Sequence, residues 1–345
     1  MNLPDLLTFA DINHLQEIVD QYELPCTHSK HDLIQSLLFT MQRPTWWDEQ
    51  TKLLTVTESR FWQLVLLDSR ETFNLEELLG KGRQALAEKP GNPRSLVAKA
   101  IKKGMLFPHG SGHSRSLYMV PQDVRKFAIR SFRNRFIVEM IVSDAPAVYR
   151  DEQLCFTSDL ACFLTYIGEK GVRLTTDCAI YRQDLQQLFG QMTIKEEPIS
   201  KQRWRFGFGR RYHQYPDRFS LLYDYAYYQR YIAENGQTLS LTMSHPGKIA
   251  RNEQEAEKIY KFWLRLYRKP FPTLPLIVKW IYLLAHTHWV HVGKLYECLK
   301  QWIDPYYYME KEDLFDLLIR MLTHLGVIRS SPTAIKMTKS GKTWV

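Results

Sequence analysis

The sequence predicts a mainly α-helical chain with small β-ribbons: a short N-terminal helical module, then three successive sets of helices closed by a ribbon. Three observations carry this expectation. Apolar residues recur at three- and four-residue spacing through most of the 345 residues, with helix-starting residues just ahead of them. Short alternating segments, at residues 116–120 and 238–242, follow the third helix of a set. Hydrophobic residues make up 45% and charged residues 24%, enough apolar content for a sizeable core. No run of about 18 apolar residues occurs, so no membrane partner is expected. The first residues, MNLPDLLTFADINHLQ, lack a basic stretch followed by an apolar one, so no secretory leader is expected. Cys26, Cys155, Cys162, Cys178 and Cys298 are scattered without a CxxC pair, which predicts neither disulfides nor a zinc ribbon. A cytoplasmic, nucleoid-associated location is the expectation.

Residues 1–44 read as the helical module. Asp11 is the N-cap of a first helix carrying Ile12, Leu15, Ile18 and Val19 on one face. It stops near Leu24-Pro25. Ser29 caps a second helix, with Leu33, Ile34, Leu37 and Leu38 as its buried stripe, and a Trp46-Trp47 linker follows Arg43-Pro44. The Leu15/Ile18 stripe, the Tyr22-Glu23-Leu24 turn and the start Ser29-Lys30-His31-Asp32-Leu33-Ile34 resemble a SAP, or helix-extension-helix, module. That resemblance implies DNA contact through basic residues. Residues 1–56 carry a net charge of −5, however, which favours a protein-docking role.

Residues 57–145 give helix, helix, helix, ribbon. Phe61, Leu64, Val65 and Leu67 mark the first helix; Leu75, Leu78, Leu79 and Leu86 mark the second. Asn92 and Pro93 are the N-cap and first residue of the third, which spans about 94–103 and stops at Gly104. A strand at Leu106-Phe107, a tip at residues 109–113 and a return strand at 116–120 complete the order of a winged helix. At 100° per residue, Leu96, Val97, Ala100 and Ile101 share one side of the third helix, and Ser95, Lys99, Lys102 and Lys103 the other. Residues 94–135 hold ten basic groups against the single acid Asp123. Arg94, Ser95, Lys99, Lys102, Lys103 and the wing residue Arg115 are therefore candidates for nucleic-acid contact, mostly to phosphate. Arg125, Lys126, Arg130, Arg133 and Arg135 extend the basic run.

Residues 150–246 repeat the plan. A Thr157-Ser158 cap opens a helix with Leu160, Phe163, Leu164 and Ile167; residues 172–175 are a short strand; residues 182–192 are a second helix; residues 219–232 are a third, rich in tyrosine. Between them, residues 201–218 hold six basic groups and one acid. Arginines interleaved with rings suit phosphate contact plus base stacking. Lys201, Arg203, Arg205, Arg210 and Arg211 are the candidate phosphate contacts, with Trp204 and Phe208 as candidate stackers.

Residues 252–345 are expected to give a long helix at 253–269, then helices around 276–285, 292–302 and 310–325 and a closing ribbon at 326–328 and 334–337. The last helix carries Glu310, Glu312, Asp313 and Asp316, which phosphates would repel. This set is expected to bind protein or to scaffold.

No catalytic constellation, cofactor motif or metal-ligand spacing stands out. Ser340-Gly341-Lys342-Thr343 imitates the end of a phosphate-binding loop, but Lys336 stands where its upstream glycine would be. His286, His288 and His291 fit packing or solvent exposure better than metal binding.

The segment with Asp159-Leu160 and Leu164, then Val172-Arg173-Leu174-Thr175, then Ile180-Tyr181-Arg182-Gln183-Asp184-Leu185 and Leu188, resembles the bacterial helicase-associated family that carries an XPB N-terminal-like winged-helix region. Leu117-Tyr118-Met119-Val120-Pro121 and residues 335–341 fit the same style. The glycine usual after the Arg-Leu-Thr element is replaced here by Asp177-Cys178. The resemblance implies a DNA-associated accessory protein without an ATPase of its own, binding duplex or forked DNA. The alternatives are a protein-interaction scaffold and a subunit whose helicase motor is a separate chain.

Overall fold

The computed structural model describes residues 1–25, 29–87, 89–109, 117–142, 144–199 and 206–345, and the chain divides into two compact units, Met1–Val138 and Glu139–Val345. Both are mainly helical with small antiparallel sheets. Among the described residues no helix is long and apolar enough to cross a membrane, and no group of three or more His, Cys, Asp and Glu side chains could hold a metal.

The first unit starts with α1 (Leu3–Phe9), α2 (Ile12–Gln21), α3 (Lys30–Met41) and α4 (Pro44–Lys52). Asp11 and Ser29 cap α2 and α3 as expected, each accepting a backbone N–H three residues on. Helix α4 replaces the expected Trp46-Trp47 linker. Pro44 is its first residue, where a missing N–H costs nothing. Trp47 is fully buried, and its indole N–H donates to the Met41 carbonyl at 2.8 Å. Next come α5 (Val56–Leu66), β1 (Thr72–Asn74), α6 (Leu75–Leu86), α7 (Pro93–Lys102), β2 (Phe107–His109), β3 (Leu117–Met119) and α8 (Gln122–Ile137). The sheet order is β1-β3-β2, with Tyr118 opposite both Phe73 and Pro108. Strand β1 was not expected: three residues running straight into a helix cap leave no alternation to read.

The second unit opens with β4 (Ile141–Val142), α9 (Cys155–Lys170), α10 (Arg182–Gln191), α11 (Asp217–Tyr228), β5 (Ile232–Asn235) and β6 (Thr238–Leu241). It continues with α12 (Glu253–Arg268), α13 (Leu274–Ala285), β7 (Trp289–His291), α14 (Val292–Leu299), α15 (Lys311–His324), β8 (Ile328–Ser330), β9 (Ala334–Met337) and α16 (Lys339–Trp344). Thr157 and Ser158 lie inside α9 rather than capping it; both hydroxyls donate back to the Leu154 carbonyl. The expected strand at 172–175 is reduced to single bridges, Arg173 to Thr238 and Leu174 to Ile180.

One order recurs. In the first unit it is α5, β1, α6, α7, β2, β3. At the end of the second it is α13, β7, α14, α15, β8, β9, with sheet order β4-β7-β9-β8. Between them, α9, the Arg173 bridge, α10, α11, β5 and β6 repeat it in reduced form.

The expected boundaries shift. The first unit ends at Val138, not 145, because Ile141 and Val142 pair with Val290 and Trp289 of β7. Segments 150–246 and 252–345 form one unit, joined by buried groups. Tyr225 donates to Glu255 at 2.7 Å and packs on Phe262. Arg218 is fully buried and donates to Asp159 at 2.6 Å, with Glu152 at 3.7 Å and Glu196 at 3.8 Å. Glu152 in turn accepts from His324 at 3.0 Å. Gly341, from the loop-like motif, lies so close to Val327 that an added Cβ would sit 2.1 Å from its carbonyl oxygen. Close packing of α16 accounts for that glycine.

Candidate nucleic-acid interface

Helix α7 is the expected basic helix, and its faces sort as the sequence predicts. Asn92 caps it, accepting the Arg94 N–H at 2.9 Å. Leu96, Val97 and Ala100 are buried, while Arg94, Ser95, Lys99 and Lys102 are exposed and Lys103 is half-buried. Helix α2 braces its C-terminal end. The Tyr22 hydroxyl donates to the Lys103 carbonyl at 2.9 Å, and His14 Nε2 donates to the Ile101 carbonyl at 3.2 Å. Gly104 closes the helix at φ +63°, a conformation that favours glycine, with Met41 Cε 2.9 Å from where a Cβ would stand.

The lysine face is not wholly free. Glu58 on α5 sits 3.3 Å from Lys99 Nζ and 3.6 Å from Lys103 Nζ. Burial alone would raise the Glu58 carboxyl; hydrogen bonds from Thr55 and the two ammonium groups outweigh it and hold the pKa below its ordinary value. Glu58 was missed as a partner, although the Thr55-x-x-Glu58 spacing is a readable capping box.

Helix α8 contributes less than its sequence suggests. Arg125 donates to the carbonyls of Leu66, Asp68 and Arg70, and Arg135 to that of Thr51, so both hold the fold. Lys126 and Arg130 are exposed.

Arg115, Lys201, Arg203, Trp204 and Arg205 lie outside the described residues. The remainder of the arginine-aromatic segment departs from expectation. Phe208 packs on Phe206, Tyr267 and Tyr306, with ring centroids 5.2, 5.7 and 5.8 Å away, so it belongs to an aromatic cluster rather than to an open stacking surface. Arg210 and Arg211 both bind Glu234 on β5, at 3.0 and 2.9 Å. Glu234 also accepts from the Tyr223 hydroxyl at 2.8 Å. These two arginines are therefore partly neutralised by a carboxylate 24 and 23 residues away, for which no local sequence signal exists.

The two other helices in the α7 position differ from it. Residues 218–226 of α11 are buried, so that helix is core. Helix α15 exposes Glu312, Asp313 and Asp316. Comparison of the chain with protein-family models, with curated proteins and with solved structures finds no match.

Proposed function

We propose that this chain is a non-catalytic DNA-binding protein built of winged-helix units, in which the first unit contacts duplex phosphates through α7. The single observation that carries this reading is the exposed row Arg94, Ser95, Lys99 and Lys102 on a helix whose opposite face is core. The strand order β1-β3-β2 around α5, α6 and α7 supports the winged-helix assignment. A helix held from behind and basic in front suits backbone contact, which fixes position without reading sequence. The exposed Lys126 and Arg130 add to the same sign of charge on this unit. The resemblance to helicase-associated winged-helix proteins fits an accessory role in repair, replication or transcription.

A second reading, a protein-interaction scaffold, is favoured by one observation: α15, in the position of a recognition helix, is acidic on its exposed face. In the combined reading α7 meets DNA and α15 meets a basic protein surface.

The test is fluorescence anisotropy with labelled blunt duplex, forked and single-stranded DNA, comparing the wild type with a Lys99→Ala, Lys102→Ala, Lys103→Ala variant. The variant is expected to bind every duplex sequence more weakly. Unchanged affinity would remove α7 from the interface.

A further inference from the structure

An open cleft of about 900 Å³ lies in the second unit between the end of α11, β5 and α12. Its size is in the range of small-molecule sites. Its walls combine rings with guanidinium groups. Tyr227, Tyr228 and Phe262 supply the rings, with Ile232 and Leu266 beside them. Tyr228 packs on Phe262 at 5.0 Å, with the Arg265 guanidinium 4.6 Å over its ring, and remains 54% exposed at the mouth. Arg210 and Arg230 are the cations of the lining, and Glu234, 3.0 Å from Arg210, is one of its two carboxylates. The Arg210 guanidinium lies 3.9 Å over the Tyr227 ring and is about half exposed. Arg230 is exposed, and among the described residues its guanidinium makes no ion pair or hydrogen bond.

The acceptors sit behind these groups. Asp224 is 5% exposed, and both its oxygens accept the Arg210 backbone N–H at 3.1 Å. Burial pushes its carboxyl up to about 6 against the pull of Arg210 and Arg211. Gly209 makes this possible: it adopts φ +135°, and a Cβ there would lie 1.6 Å from Asp224 Oδ2. Arg230 is likewise held in an uncommon conformation, φ +58°, which places it on the tight turn joining α11 to β5. Backbone strain of this kind persists only where surrounding contacts hold it.

A half-exposed tyrosine, an arginine without an ion-pair partner among the described residues and two carboxylates fit a flat heteroaromatic base with exocyclic amino groups, carrying a phosphate. We propose that this cleft binds a nucleoside phosphate, with the base against the exposed part of Tyr228 and the phosphate on Arg230, Arg210 staying paired with Glu234. The source is either a free mononucleotide or the unpaired terminal nucleotide of a strand. The second source deepens the DNA-binding reading above and rests on it; the first does not.

The experiment uses the full chain and three probes: 5′-dAMP, inorganic phosphate, and a duplex with a single-stranded 2-aminopurine tail. Calorimetry reads the first two; fluorescence quenching reads stacking of the third. Tyr228→Ala and Arg230→Gln are the variants, with thermal melting to establish that each is folded. The expected result is dAMP binding tighter than phosphate and weakened about tenfold in each variant, as loss of a stacked ring or a phosphate contact implies. Quenching of the tailed duplex, lost in Tyr228→Ala, assigns the site to a strand end. Binding of dAMP without quenching assigns it to free nucleotide. Absence of both dAMP binding and quenching overturns the proposal, as does phosphate binding as tightly as dAMP. Because blunt-duplex affinity is read separately through α7, a failed cleft and a failed DNA-binding reading give different results.

Discussion

Arg218 holds a buried ionic cluster together in the second unit. Its side chain is fully buried among Asp159, Glu152 and Glu196, from three different stretches of chain. Asp159 also accepts the backbone N–H groups of Thr193 and Ile194, tying the segment after α10 to α9. Arg218→Met should destabilise the unit by about 3–5 kcal/mol, because it leaves carboxylates buried without their cation; urea unfolding measures it. Glu196 in this cluster has a raised carboxyl pKa. Burial pushes its carboxyl up to about 7 from 4.5, against the attraction of Arg218 and with Asp217 and Asp159 adding to the rise. The folded chain therefore holds a proton there that the unfolded chain has released. This contribution to stability is full below about pH 4.5 and is lost as pH rises through about 7. Glu196→Gln should be more stable than the wild type at pH 8, by on the order of 2–3 kcal/mol, with the difference shrinking at pH 5; paired thermal melts check it. Gly209→Ala should also be costly, by about 2–4 kcal/mol, since the added Cβ meets the Asp224 carboxylate. None of these three roles was readable in the sequence. Arg218 was one charge among many in a basic stretch; Asp159 and Glu152 lie 59 or more residues away along α9 and its approach, and Glu196 lies in the loop after α10.

Helix α7 shows what sequence reads well and where it stops. Its cap, its start at Pro93, its end at Gly104 and the split between apolar and basic faces all follow from local chemistry. The occupancy of Lys99 and Lys103 by Glu58 does not, because it depends on how α5 and α7 cross. Glu58→Gln should therefore raise duplex affinity a few-fold at low salt, by freeing two lysines, while a glutamine keeps the Thr55 cap; the gain should fade at high salt. A loss of affinity would mean that Glu58 positions the lysines rather than competing for them. Helix α8, sixteen residues of mostly polar and basic side chains, was missed, and so were short elements. Strands β1 and β7 are three residues each and are fixed by pairing with β3 and β9, so their existence is a tertiary fact. Helix α4 was misread because Pro44 and two tryptophans look like a linker until Trp47 is seen to be core.

Over the whole molecule the repeated helix-strand order was legible, since each copy keeps its own periodicity and turn residues. The grouping of the copies was not. The second and third sets share a buried ionic and tyrosine network, and nothing in residues 246–252 distinguishes a linker from a tight turn, which is what the structure places at Pro246–Ile249. The three sets differ in charge and burial at the third helix: one is basic and exposed, one buried, one acidic. That difference concentrates the expected DNA contact in the first unit. The direct measurement is the salt dependence of duplex binding, by anisotropy from about 50 to 200 mM salt. If Arg94, Lys99 and Lys102 meet phosphate, affinity falls with a log–log slope of about −3 or steeper, and the slope becomes shallower by about 0.9 for each lysine replaced by alanine. Binding that is absent at 50 mM, or a slope that the alanine variants leave unchanged, would contradict the assignment of α7 as the DNA-contacting helix.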